Sequence, residues 1–261
     1  AEMALSIHQG PQDGDILIFM PGKQEIDATI DEMMKQKITG ATILPLHGEL
    51  SPQERHRIFE EQWGRKIIGS TNIAERGLTI DGVKYVIDSG LVRMNEYDPA
   101  SDTTKLVVSS TAQDSLKQRQ GRAGRTQPGE CHFLITQDEF NRRPVSTKPE
   151  IMRTSLREVV LQIKAMGYSR EGDPNPWIDA PEKQNCKAAK TQLRLLGALN
   201  PEDETKLSDF GQKLAELSCD PREGTIILRG CEMGCGREAA TIAALRTSRR
   251  LFYRPQTEAE Q

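Results

Sequence analysis

The stretch GPQDGDILIFM, residues 10–20, sets the unbroken apolar run Ile16 to Met20 directly behind a turn-forming segment. A short apolar run bounded by glycine and proline reads as a buried strand. Ile26, Ile30, Met33 and Met34 follow at helical spacing. The strand-then-helix unit recurs. ATILPL at 41–46 is a strand, and SPQERHRIFEEQ at 51–62 is a helix with Ser51 as N-cap, Pro52 in the first position and Glu54 closing a capping box. KIIGST at 66–71, VKYVID at 83–88 and CHFLIT at 131–136 are further short buried strands. Such alternation predicts an α/β fold with a parallel sheet covered on both faces. Ligands in these sheets bind beyond the carboxyl ends of the strands.

LVRMNEYDPASDTTKLVVSS at 91–110 has two strand-like halves around the turn-rich DPASD and predicts a projecting hairpin. NRRPVSTKPE at 141–150 marks a linker. Beyond it, LREVVLQIKAMG, QNCKAAKTQLRLLGALN and SDFGQKLAEL are amphipathic helices, with a turn at PEDET. Helices with a small hairpin in so short a span suggest a winged-helix module. PREGTII through REAATIAAL reads as two more helices, which stop soon after LFYRP and look like the beginning of something longer.

The chain has 261 residues, 36% hydrophobic and 28% charged, enough for a sizeable core and two domains and too apolar for a largely disordered chain. No apolar run reaches membrane-spanning length, and AEMALSIHQG lacks the basic and apolar regions of a signal peptide. An intracellular protein is expected, with the nucleus ahead of the cytoplasm. The formal net charge of -3 confines any nucleic-acid contact to local basic patches. The five cysteines are odd in number and read as reduced thiols; Cys231 and Cys235 are spaced to share a helix face but lack partners for a zinc site.

QRQGRAGR at 118–125 raises the chemical question. On a helix, Arg119, Arg122 and Arg125 would share one face and repel by a few tenths of a kcal/mol per pair. Gly121 and Gly124 would each cost about 1 kcal/mol relative to alanine. The exchange is local stability for close backbone approach and concentrated positive charge, which asks for an anion. The plain alternative is a solvated arginine run.

Taken together, ILIFMPGKQEI (16–26), LPLHGELSPQERHRIF (44–59), STNIAERGLTIDGVKYVIDSG (70–90) and QRQGRAGRTQPGECHFLIT (118–136) resemble, in order and spacing, the second RecA-like domain of DEAH-box RNA helicases. PEIMRTSLREVVLQIKAMG and LLGALN resemble the family's winged helix, and DPREGTIILRGCEMGC the start of its ratchet-like bundle. The resemblance implies three domains: 1–148 RecA-like, 149–219 winged helix and 220–261 a truncated ratchet-like domain. Neither a GxxxxGK[ST] phosphate loop nor a DEAH motif occurs in the sequence. The chain therefore looks like the C-terminal part of a longer helicase, expected to be inactive alone, with ATP and Mg²⁺ held mainly by a first RecA-like domain.

The resemblance also implies roles. Arg122 and Arg125 match arginine fingers that reach for the terminal phosphate. Gln118 matches the glutamine that orders the attacking water or the phosphate, and Arg119 is assigned to structure. Phe59 matches the base-stacking aromatic; Thr79 and Asp81 match positions near adenine and ribose. Gly48, Thr71 and Asn72 match RNA-backbone contacts, chemically suited to phosphate without reading sequence. The hairpin from about Leu91 to Val108 matches an element beside the RNA path. Implied partners are single-stranded RNA, the first RecA-like domain of the same protein and a G-patch-type activator on the winged helix, in RNA processing such as mRNA splicing.

Plainer readings stand beside these. Phe59 after a capping box would be a core residue in most proteins, Asp81 before Gly82 a turn residue, Thr71 and Asn72 a helix start, His47 a packing residue and Trp177 a loop anchor. The sequence departs from the family's Glu-Thr-Ser at Glu75, Arg76 and Gly77, which removes a hydroxyl and adds a charge where the nucleotide state would be sensed. Alternative functions are a non-enzymatic RNA- or protein-binding scaffold with a helicase fold and a DNA-directed motor, since phosphate contacts alone do not separate RNA from DNA.

Overall fold

The computed structural model describes residues 1–11, 13–125, 128–168 and 177–248. LFYRP, where the last helices were expected to stop, lies outside them. The described residues form two compact units, Ala1–Glu96 with Lys105–Lys148, and Tyr97–Thr104 with the described residues from Pro149 on.

In the first unit, α1 (Glu2–Gln9) precedes β1 (Asp15–Phe19), α2 (Lys23–Lys35), β2 (Ala41–Leu46), α3 (Pro52–His56), β3 (Arg65–Ser70) and β4 (Val83–Asp88). A hairpin of β5 (Leu91–Asp98) and β6 (Thr103–Ser110) leads to α4 (Gln113–Gln120), β7 (Glu130–Phe133) and α5 (Gln137–Arg142). The sheet runs β2-β3-β1-β4-β7, and its pairs are parallel. Alternating side chains feed two cores, as a period of two requires. Leu17, Phe19, Leu46, Ile68 and Val86 pack with Ile58 and Ala123. Ile16, Ile18, Ile67, Tyr85 and Ile87 pack with Ala4, Ile26 and Met33.

Three elements differ from the sequence reading. Helix α1 has no forecast in the apolar pattern of AEMALSIHQG, yet it buries Ala4 and Leu5. Helix α3 starts at the expected capping box, Ser51 with Glu54, but ends at His56 and not near residue 62. Cys231 lies in the last turn of one helix and Cys235 is the N-cap of the next, separated by Gly234 at φ 78°.

The second unit contains α6 (Arg157–Ala165), α7 (Lys183–Leu195), α8 (Asp209–Ala215), α9 (Pro221–Glu232) and α10 (Gly236–Thr247). Leu156, Leu161, Leu193, Leu199 and Leu214 centre its core. The small hairpin is minimal: one antiparallel bridge, Leu199 to Leu207, flanked by Asn200 N–H to Lys206 O and Ser208 N–H to Ala198 O, each 3.0 Å.

The tip of the β5–β6 hairpin belongs to this second unit. There the Arg157 guanidinium, its side chain 3% exposed, binds Asp102 Oδ2 at 2.6 Å, Gln192 Oε1 at 2.8 Å and Asp220 Oδ2 at 3.1 Å. Gln192 Nε2 donates in turn to the Tyr97 hydroxyl at 3.1 Å. Burial would raise the Asp220 pKa, but the Arg222 backbone N–H and the Arg157 guanidinium outweigh it and hold the carboxyl below its ordinary value. Its stabilising contribution is therefore present above the unfolded pKa of about 4 and is lost as pH falls through the lower folded value. Thermal melts between pH 6 and 3 should show the native chain losing more stability below about pH 4 than Asp220→Asn does; parallel curves would remove Asp220 from the acid response.

Candidate nucleotide-facing site

Helix α4 stops at Gln120, and residues 121–124 continue as turns. The three arginines therefore do not share a helix face, and the expected repulsion along one does not arise. Arg119, in the last helical turn, points inward and is 1% exposed. Its Nε donates to Glu75 Oε2 at 3.0 Å and its NH1 to Asp88 Oδ1 at 3.1 Å, while its guanidinium carbon lies 5.0 Å from the Phe19 ring centroid. Ser115 Oγ donates to the other Glu75 oxygen at 2.7 Å, and Gly90 N–H to Asp88 at 2.8 Å. Burial pushes the Asp88 carboxyl up, with Arg119 pulling against it.

Arg122 and Arg125 turn instead to the loop after β3. Arg122 donates to the carbonyls of Leu78, at 2.5 Å, and Glu75. Arg125 donates to the Thr79 hydroxyl. Burial, then the charge of Arg125, lowers the Arg122 pKa from its ordinary value, and its Nε is buried without a hydrogen-bond partner. Arg76, on the same loop, donates from Nε to Gln118 Oε1 at 3.1 Å. Gly77 beside it has φ 77°, in the left-handed region where a side chain is strained.

The glycines of QRQGRAGR do not act as their spacing suggested. A Cβ on Gly124 would meet nothing within 4 Å, so this position needs no close approach. The tight glycine is Gly129, where a Cβ would lie 2.1 Å from Ala123 O and 2.4 Å from Lys84 O.

Phe59 is 46% exposed and outside the core. With Arg55, Ile73, Arg76, Gly77 and Leu78 it lines a cleft of about 280 Å³. An exposed ring beside two guanidinium side chains suits a flat aromatic ligand bearing anionic groups. Phe59, Gln118, Thr79, Arg122 and Arg125 are thus gathered around the 75–79 loop. Asp81 is exposed in a turn beside Gly82, whose carbonyl accepts from Asp15 N–H at the start of β1.

Gly48, Thr71 and Asn72 occupy another place, just past the carboxyl ends of the paired strands β2 and β3. Thr71 N–H donates to Leu46 O at 3.1 Å, and Thr71 caps a 3-10 turn over Asn72–Ala74. Gly48 and Asn72 are exposed, and a Cβ on Gly48 would meet nothing within 4 Å. The motif residues therefore divide in two: one group on the 75–79 loop, another at the carboxyl edge. His47, next to Gly48 in sequence, is buried, and burial lowers its pKa. Trp177 is half-buried.

The sequence reading did not identify Glu75 and Asp88 as the partners of Arg119, nor Ser115 as the donor to Glu75. For Asp88 the signal was a carboxylate closing the apolar strand VKYVID, a buried charge that needs a partner. Among the described residues no group of three or more His, Cys, Asp or Glu side chains is arranged to hold a metal ion, and no helix is long and apolar enough to cross a membrane. All five cysteines are free.

Residues 2–127 match the family model for the helicase conserved C-terminal domain. The chain is similar to the ATP-dependent RNA helicase HrpA of Escherichia coli K12, 40% identical over 236 residues, covering 88% of this chain and 18% of HrpA. It is 35% identical over 268 residues to the pre-mRNA-splicing factor ATP-dependent RNA helicase prp22 of Schizosaccharomyces pombe, covering 99% of this chain and 22% of that protein. The chain thus spans about a fifth of these relatives. The solved E. coli DExH-box NTPase HrpB superposes with a TM-score of 0.86 at 32% identity, over 96% of this chain and 31% of that one.

Replacing Arg119 should be costly because it strands two buried carboxylates. Arg119→Met is expected to lower the unfolding free energy by about 3–5 kcal/mol in denaturant titration; a loss below about 1 kcal/mol would mean that the trio contributes little.

Proposed function

We propose, for a chain that belongs to the DEAH-box RNA helicase family, that its first unit is the second RecA-like domain and forms one wall of an ATP cleft completed by the first RecA-like domain of the same protein. The observation that carries this reading is the pair Arg122 and Arg125 on one loop, with the Arg122 Nε buried and unpartnered. Two fixed guanidiniums stabilise charge spreading over a transferred phosphoryl group without moving far to reach it. Phe59 stacks on the base, a contact that accepts any base face, and Thr79 and Asp81 lie toward the adenosine. The residues present fit the nucleotide. Among the described residues no group of three or more His, Cys, Asp or Glu side chains is arranged for a metal ion, and the Mg²⁺ would be held mainly by the first domain. Lacking a phosphate loop, this chain by itself does not hydrolyse ATP.

Hydrolysis opens and closes the two RecA-like domains and moves the protein along single-stranded RNA, in remodelling of RNA or its protein complexes. Gly48, Thr71 and Asn72 bind the RNA backbone, a role supported by their shared position past two neighbouring strand ends and by the open space over Gly48. The hairpin borders the RNA path. RNA is preferred to DNA on the names of the relatives, HrpA and prp22. We carry the division into 1–148, 149–219 and 220–261 as part of the proposal. A G-patch-type activator on the middle segment is supported by exposed Met166 and Leu195. The five free cysteines support an intracellular setting; a nuclear one is favoured by prp22 and not by the bacterial relative.

In the chain joined to its first RecA-like domain, Arg122→Ala and Arg125→Ala should each reduce RNA-stimulated ATP turnover by about 10³-fold or more. Unchanged turnover in both would end the finger assignment. Phe59→Ala should weaken nucleotide binding about tenfold, within the range for loss of a base–aromatic stack, as read by fluorescence titration; equal affinity would deny stacking.

A further inference from the structure

Gln118 has two chemically distinct ends, a carbonyl oxygen that orders water by accepting and an amide that holds phosphate by donating. The Arg76 contact discriminates between them. Arginine has no acceptor, so Nε–H can bind only the oxygen of the carboxamide. That fixes which atom of Gln118 is which, a choice that usually rests on the surrounding network. With Oε1 held at 3.1 Å by Arg76, the Nε2 amide is the end of the carboxamide left to donate to a ligand. Gln118 sits four residues before Arg122, and Arg76 lies between the two residues, Glu75 and Leu78, whose carbonyls Arg122 engages. All three side chains therefore share one loop. Arg76 also keeps 70% of its side chain exposed and lines the cleft with Phe59.

We infer that Arg76 is a positioning residue that captures the Gln118 carbonyl oxygen and so presents the Gln118 amide as a donor to the terminal phosphate of a bound nucleoside triphosphate. This rests on reading the first unit as one wall of a nucleotide cleft. The amide touches only the terminal phosphate, so a diphosphate does not engage it. The contact also assigns Gln118 to holding the phosphate and not to orienting the attacking water.

The test uses the chain joined to its first RecA-like domain, with Arg76→Ala, Gln118→Ala, the double variant, Arg76→Lys and an Arg122→Ala control. Fluorescence titration would compare a non-hydrolysable ATP analogue with ADP, alongside kcat and KM for ATP. Each single variant should weaken the analogue about tenfold, the scale of a hydrogen bond to a charged group, with ADP affinity unchanged. The double variant should be no worse than Gln118→Ala alone, and Arg76→Lys should recover part of the loss. Losses that multiply in the double variant, or that fall equally on ADP and the analogue, would overturn the inference. Unchanged turnover in Arg122→Ala would instead overturn the cleft reading beneath it.

Discussion

One buried cation organises the first unit. Arg119 joins three segments far apart in the chain: the loop after β3 through Glu75, the end of β4 through Asp88, and α4, on which it lies. A guanidinium suits this task because its planar fork satisfies two carboxylates at once, whereas an ammonium would offer a point charge. The same contact sets the 75–79 loop against the end of α4, where Arg122, Arg125 and Gln118 meet it. The pairing is a constraint on geometry more than a store of stability, since ions in a dry interior lose most of their attraction to desolvation.

Much of the fold was legible because its signals are local. The apolar runs of β1 to β4 and β7 are bounded by turn residues, and each carries its own statement of burial. The hairpin was legible from DPASD for the same reason. The departures concern chain segments whose conformation depends on neighbours. Helix α1 is held by burying Ala4 and Leu5, with Ala4 packed in the core on one face of the sheet. Helix α3 begins at a strong cap, but caps fix starts and say nothing of ends.

The candidate site was legible in its residues and not in its arrangement. Motif spacing singled out Arg122, Arg125 and Gln118, yet it treated QRQGRAGR as one helix. The break at Gly121 is what separates an arginine that holds the domain together from two that turn to the 75–79 loop. Gly124 and Gly129 make the same point: the residue in the motif has open space, and the one outside it is wedged between two carbonyls. Arg76 looked like a departure that loosened nucleotide sensing. Its hydrogen bond to Gln118 gives that departure a specific partner.

The hairpin has a further consequence in the connectivity of the chain. Its tip, Tyr97–Thr104, belongs to one unit and the residues on either side of it to the other. The backbone therefore passes between the units three times, at 96/97, 104/105 and 148/149. Severing the proline-rich linker removes only one of these passages. A nick there leaves two covalent fragments, and the second unit is then built from both of them, because Tyr97–Thr104 stays in the first fragment while the residues from Pro149 on make up the other.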